Sequence, residues 1–337
     1  MDFTELIDLA SERLGGTVLY ANDEFFAPKE DLLKTSAPVF IEGKYTDNGK
    51  WMDGWETRRK RALNLHELYD WCIIRLGLPG SIRGVIVDTS FFKGNYPSHC
   101  SIEARTLEGN PDVKQLTSDT VPWSEILPKS SLQGDSRNSF EIKRAERVTH
   151  LKLKIYPDGG VARLRAYGEV LPNWDRLIRR ESEIDLAAVE NGGRVIACSD
   201  MFFGHRHNLI MPDRAANMSD GWETKRRRGP GHDWSVIRLG RQGTIQRIEV
   251  DTSWFKGNFP ESCSLEACDI QGREPEDFSK FDWKEVLSRT KLQAHTRHFF
   301  EDEIMNIGSA THVRFNIFPD GGVSRLRIFG RITKSGV

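Results

Sequence analysis

HLKLKIYPDGGVARLRAYG, residues 150–168, and HVRFNIFPDGGVSRLRIFG, residues 312–330, are the stretches on which the fold turns. In each, apolar and polar residues alternate with period two up to a Pro-Asp-Gly-Gly turn, and alternate again after it. That period puts successive side chains on opposite faces of a strand, one buried and one facing solvent or ligand. Proline presets one backbone torsion and glycine admits positive φ, so the turn joins strand to strand.

Outward from this pair, the chain repeats itself. IDLASERLGG ending at Gly16 returns as IDLAAVENGG ending at Gly193, and Asp23-Glu24-Phe25-Phe26 returns as Asp200-Met201-Phe202-Phe203. DGWETRRKR (53–61), DWCIIRLG (70–77), VDTSFFKGNYP (87–97) and CSIEA (100–104) return as DGWETKRRR (220–228), DWSVIRLG (233–240), VDTSWFKGNFP (250–260) and CSLEA (263–267). Matches this long, in one order, mean a tandem duplication. Each copy is domain-sized, too large for a solenoid repeat. The expected domains are 1–170 and 183–337, joined by a charged linker over 171–182.

Short strands, an apolar central run at Val85-Ile86-Val87, and frequent Gly and Pro turns predict an all-β chain of two jelly-roll β-sandwiches. Short helices are expected near Leu6 and Trp123. Cys72, Cys100, Cys198, Cys263 and Cys268 form no CxxC pair and are odd in number. That argues against a disulfide framework and a Cys-based zinc site, and Cys100 and Cys263 read as small buried hydrophobes. Lys plus Arg total 48 against 49 Asp plus Glu, giving a net charge of −1. Nothing in that balance neutralises a phosphate backbone or an anionic bilayer, so nucleic acid and membrane are excluded as expected partners. The acidic N-terminus lacks the basic start and apolar core of a secretory signal, and a cytosolic protein is expected.

Chemistry concentrates in three repeated segments. The DGWET loop sets Asp53 and Glu56, or Asp220 and Glu223, beside a cationic run that includes Arg58. Such a mixture serves as general acid or base while gripping an anion, and it also describes a surface loop whose charges pair with one another. The DTS-x-F-KGN segment presents Lys93 and Asn95, or Lys256 and Asn258, suited to a carboxylate and an amide. Its aromatics Phe91, Phe92, Trp254 and Phe255 are expected to wedge the sheets. After the hairpin, Arg163 and Arg165, with Arg325 and Arg327, share one strand face as paired forks for a small carboxylate or as surface decoration. His232 adds an acid/base candidate near neutrality, whereas His150 and His312 read as structural. His205 and His207 alternate, but the first copy has Ala27-Pro28-Lys29 there, so no metal site is expected. No nucleophile motif, phosphate loop or dinucleotide fingerprint is present, and the sequence calls for no cofactor.

The doubled DGWET, the DW-x-[IV]-IRLG strand, DTS-x-F-KGN and PDGGV-x-RLR together resemble the allantoicases, from about Leu6 to Gly330. The resemblance implies two jelly-roll, galactose-binding-like domains, a homo-oligomer, and hydrolysis of allantoate to ureidoglycolate and urea. Chemistry then puts Arg163 and Arg165, or their counterparts, as a carboxylate clamp, Asn95 or Asn258 on a ureido group, and Glu56, Glu223, Asp53, Asp220 and His232 as the acid/base pool. The alternative is a non-catalytic jelly-roll binding protein for a small anion or sugar. The copies differ in length, with about ten extra residues between Asp23 and Asp53, and Tyr69 stands where the second copy has His232. Two domains therefore need not mean two active sites.

Overall fold

The structure is a computed structural model that describes residues 2–61, 68–109, 111–118, 122–143, 146–179, 183–270, 272 and 277–333. Two compact units, Met1–Leu171 and Pro172–Val337, divide the chain.

In unit 1 the spine is one long strand, Asp70–Asp88, rich in the β-branched residues that pack well on a pleated surface. Its first half pairs antiparallel with Thr17–Ala21 and Val148–Tyr156, bringing Ile74 opposite Leu151 and Cys72 opposite Leu153. Its second half pairs with Arg137–Glu141 and Arg163–Val170, bringing Val87 opposite Leu164. His99–Arg105 and Ser124–Ser131 extend the first layer. The strand changes layer through Gly77-Leu78-Pro79-Gly80, where bulk is excluded: a Cβ on Gly77 would stand 2.5 Å from the Leu14 carbonyl oxygen. One strand thus serves both layers of a jelly-roll sandwich, and Ile73, Ile74, Val85, Val87, Leu151 and Leu153 are fully buried in its core.

Unit 2 repeats the plan around Asp233–Asp251, flanked by Arg194–Cys198 and Ser309–Phe318 in its first half and by Arg297–Phe300 and Arg325–Ile332 in its second. The alternation read at 150–168 and 312–330 is the strand pair Val148–Tyr156 and Arg163–Val170, with its unit 2 counterpart.

Local expectations fared unevenly. A 3₁₀ turn, Phe3–Glu5, stands just before Leu6. At Trp123 there is no helix: it leads into the strand Ser124–Ser131, and its ring lies 5.3 Å from the Arg105 guanidinium and 5.9 Å from Lys152 Nζ. The nearby helix is earlier, Val113–Thr117, started by a reciprocal cap between Asp112 and Gln115. The segment read as a linker holds the helix Trp174–Arg179, while residues 180–182 lie outside those described. Cys100 and Cys263 are buried as expected, and burial pushes their thiols up to about 12, which makes them inert. Of the wedge aromatics, Phe92 and Phe255 are fully buried, but Phe91 and Trp254 face outward. Their φ values of 69° and 73° turn the side chains away from the sheets, and their amides are held by Asp135 and His295.

Candidate active site

At one end of each sandwich the three repeated segments meet. In unit 1 the short strand Trp55–Glu56 pairs with Gly160–Val161 of the hairpin. Trp55 is buried and its indole N–H donates to the Asp23 carbonyl at 2.8 Å, which fixes the strand. Asn95 accepts the Gly160 amide on its backbone carbonyl at 2.8 Å and donates its side-chain amide to Glu56 Oε1, also at 2.8 Å. Thr57 closes the set by bonding Gly159 in both directions. Glu56 is buried, and this desolvation holds its pKa above the usual carboxylate range despite the Asn95 hydrogen bond and the charge of Arg59.

Unit 2 builds the same frame. Trp222–Glu223 pairs with Gly322–Val323, Asn258 donates to Glu223 Oε1, and Thr224 bonds Gly321. Here the glutamate is half-buried and lines an open cleft of about 550 Å³ with Asn258, Arg226, Lys291, Asp320 and Phe203. The units differ in one arginine. Arg59 is tied down, donating to Asp158 Oδ1 at 2.8 Å and to the Gly94 carbonyl at 3.1 Å. Arg226, its counterpart, is exposed and makes no hydrogen bond or ion pair with another described residue.

The remaining expected residues lie elsewhere or do other work. Arg163, only 1% exposed, pairs with Asp53 at 2.7 Å and donates to the carbonyls of Ser36, Asp53 and Ala162. Burial alone would raise the pKa of Asp53, but hydrogen bonds from Arg163 and Val39 and the charges of Arg163 and Lys34 hold it low. Arg325 likewise binds Asp220 and the carbonyls of Asn208, Asp213 and Ser324. Arg165 donates to the Leu33 and Lys34 carbonyls and faces Asp8, and Arg327 donates to those of Met211 and Asp213 and faces Asp185. In both units the arginine strand staples loops to the sandwich, and in unit 2 Arg325 and Arg327 also line a second open cleft, of about 410 Å³, with Arg214, Arg297, Asp185 and Glu249.

Arg58 pairs with Asp23 at 2.6 Å, Lys93 points to Asp135 at 3.9 Å, and Lys256 is exposed. His232 is outside the cleft lining. It packs on the Phe318 ring at 4.6 Å and approaches Asn316 Oδ1 at 3.3 Å. The rings of His205 and His207 meet edge to face at 4.8 Å, and Nε2 of the buried His207 faces the Val195 carbonyl at 3.2 Å. Asp320, Phe203 and Lys291 were not singled out as site residues in the sequence. The aspartate's recurrence inside both PDGG turns was the available signal.

The family described as the allantoicase repeat matches this chain twice, at residues 7–171 and 184–333. The chain belongs to the allantoicase family. It is 50% identical to an allantoicase of Dictyostelium discoideum over 96% of this chain and 87% of that one. It is also 50% identical to a probable allantoicase of Photobacterium profundum over 98% of each. The crystal structure of the Saccharomyces cerevisiae allantoicase superposes with a TM-score of 0.79 at 39% identity, covering 96% of this chain and 92% of that one. Both allantoicase repeats thus coincide with sandwiches that carry the glutamate–asparagine pair.

Proposed function

We propose that this member of the allantoicase family hydrolyses allantoate to ureidoglycolate and urea, and that it does so in the unit 2 cleft. One observation carries the placement: Glu223 has Oε1 fixed by Asn258 and opens into a cleft lined by two cations, Arg226, which forms no ion pair with a described residue, and Lys291, whose charge also acts on Glu261.

Allantoate is a carbon bearing a carboxylate and two ureido groups. Arg226 and Lys291 receive the carboxylate, and Asp320 accepts ureido N–H donors. Glu223 takes the N–H proton of the retained ureido group as that nitrogen forms a double bond to the central carbon, and hands it to the departing ureido nitrogen as the carbon–nitrogen bond breaks and urea leaves. Water then adds to the central carbon while one of its protons passes by way of Glu223 to the imine nitrogen, which restores the carboxylate. One water is consumed, and the substrate's charge passes to ureidoglycolate. Asn258 keeps Glu223 aimed through both steps.

Urea release from allantoate by Glu223→Gln and Glu56→Gln tests this. Glu223→Gln is expected to lower kcat by roughly 10²–10⁴-fold, the usual contribution of a positioned acid/base, and Glu56→Gln far less. Equal small losses would remove the loop from catalysis. Absence of turnover by the unaltered protein, with or without a chelator, would sink the enzyme reading and favour a binding protein. The same reading takes 1–170 and 183–337 as domains and the chain as a cytosolic homo-oligomer, for which proteolysis, sedimentation and fractionation are the checks.

A further inference from the structure

The Asp-x-Phe-Phe step recurs in both units, and the two copies of its second phenylalanine have different surroundings. In each unit the aspartate caps the step and binds the DGWET loop. Asp200 Oδ2 accepts the amides of Phe202 at 3.1 Å and Lys225 at 2.8 Å, and Asp23 Oδ1 accepts those of Phe25 at 3.1 Å and Arg58 at 3.0 Å. The following phenylalanine is tied directly to the glutamate: Phe203 N–H donates to the Glu223 carbonyl at 3.1 Å, and Phe26 N–H to that of Glu56 at 3.2 Å. Its ring is set edge to face against its neighbour, with centroids 4.8 Å apart for Phe202 and Phe203 and 5.0 Å apart for Phe25 and Phe26. Frame and ring are thus fixed relative to the glutamate in both units.

What lies on the ring differs. In unit 1 the extra loop folds as a hairpin, Tyr45–Thr46 with Gly49–Lys50, and its turn comes down on this step. Asn48 donates its side-chain amide to the Phe25 carbonyl at 2.7 Å, and a Cβ on Gly49 would stand 3.5 Å from Phe26 Cε1. Phe26 is half-buried as a result. Unit 2 is about ten residues shorter here, and Phe203 is 62% exposed on the wall of the cleft that holds Glu223. In unit 1 the backbone of Gly49 covers the Phe26 ring along Cδ1 and Cε1. A ureido group is a planar N–C(=O)–N unit, with polar edges and a face that packs on an aromatic surface.

We propose that Phe203 is a substrate-binding residue whose ring face receives one ureido group of the substrate, as Phe26 receives the Asn48–Gly49 turn. This rests on the placement of the reaction at Glu223. Arg226 and Lys291 select the carboxylate and Phe203 selects the ureido group. Together they orient the central carbon toward Glu223.

Steady-state kinetics on allantoate with Phe203→Ala, Phe203→Leu and Phe203→Tyr, together with calorimetric allantoate binding to Glu223→Gln and Glu223→Gln/Phe203→Ala, test the assignment. Phe203→Ala is expected to raise KM by roughly three- to tenfold, more than it lowers kcat, and to weaken binding in the Glu223→Gln background by a similar factor. Phe203→Tyr keeps the ring and should stay near the unaltered value, whereas Phe203→Leu keeps bulk without a planar face and should follow Phe203→Ala. Leucine matching tyrosine, or unchanged affinity in Phe203→Ala, overturns the role of the ring. A Glu223→Gln enzyme with full kcat overturns the placement itself, which separates the two failures.

Discussion

Arg163 and Asp53 show how far residue types alone carry a functional reading. A sequence can say that two arginines share a strand face; it cannot say that the loop folding over them brings its own acceptors. The pair at 2.7 Å is almost fully desolvated, so removing one partner strands a buried charge. Arg163→Ala is therefore expected to cost about 3–5 kcal/mol in urea denaturation. A variant of normal stability with a raised KM would return the arginine to the substrate. The histidines give a second prediction at this scale. Burial, with Arg75 and Arg105 nearby, lowers the pKa of His150 from 6.5 to about 4, and burial with His205 and Arg206 lowers that of His207 to about 3. The unfolded chain binds protons first, so their stabilisation is complete above pH 6.5 and is lost as pH falls toward those values. Asp185, raised to about 6 by burial, works in the opposite direction, losing its contribution as pH rises through that value. Asp8 and Glu56, which burial also raises, act with Asp185, so the histidine share is read by difference: the thermal midpoint of the unaltered protein, less that of His207→Gln, should fall from pH 6.5 to 4, and a constant difference would refute the assignment.

Among elements, the PDGG hairpin was the most legible, because period two and turn chemistry are both local. What it packs against was not. A Cβ on Gly322 would stand 1.9 Å from Phe255 Cε1, since the hairpin crosses directly over that buried ring, and Gly322 is the register partner of Glu223. Gly322→Ala should therefore destabilise by about 1–3 kcal/mol through overpacking and displace the glutamate, lowering kcat as well. Gly257, in the adjacent loop, would meet nothing within 4 Å on gaining a Cβ, so Gly257→Ala should change stability by less than about 0.5 kcal/mol. Calorimetric melts and urea release on the two variants are the measurement; equal effects would mean the close contact is relieved by backbone movement. The same limit explains the outward turn of Phe91 and Trp254. An apolar residue inside a repeated motif reads as core, while the positive φ that reverses it is set by the distant acceptors Asp135 and His295.

For the whole chain, the duplication was legible from end to end because it needs only comparison of the chain with itself. The proposed division of labour was legible only as a difference in loop length and the exchange of Tyr69 for His232, since neither the tie that holds Arg59 nor the hairpin lying on Phe26 has a sequence signature. Both changes act on unit 1 in the same sense. Arg59 directs its donors to Asp158 and Gly94, the hairpin turn lies against Phe26, and Glu56 is left buried with its proton favoured. The Arg59 side chain is half-exposed but its partner Asp158 is buried, so the pair is only partly screened and adds to the closure that the hairpin makes. Unit 2 keeps all three features open: Arg226 outside any ion pair with a described residue, Phe203 exposed, Glu223 facing the cleft. Calorimetry of allantoate with Glu223→Gln should accordingly give one site per chain rather than two. Arg226→Ala on the same background should abolish most of that binding, whereas Arg59→Ala should leave it in place. A stoichiometry of two, with Arg59→Ala weakening one of them, would mean that the hairpin yields to substrate and that both repeats bind it.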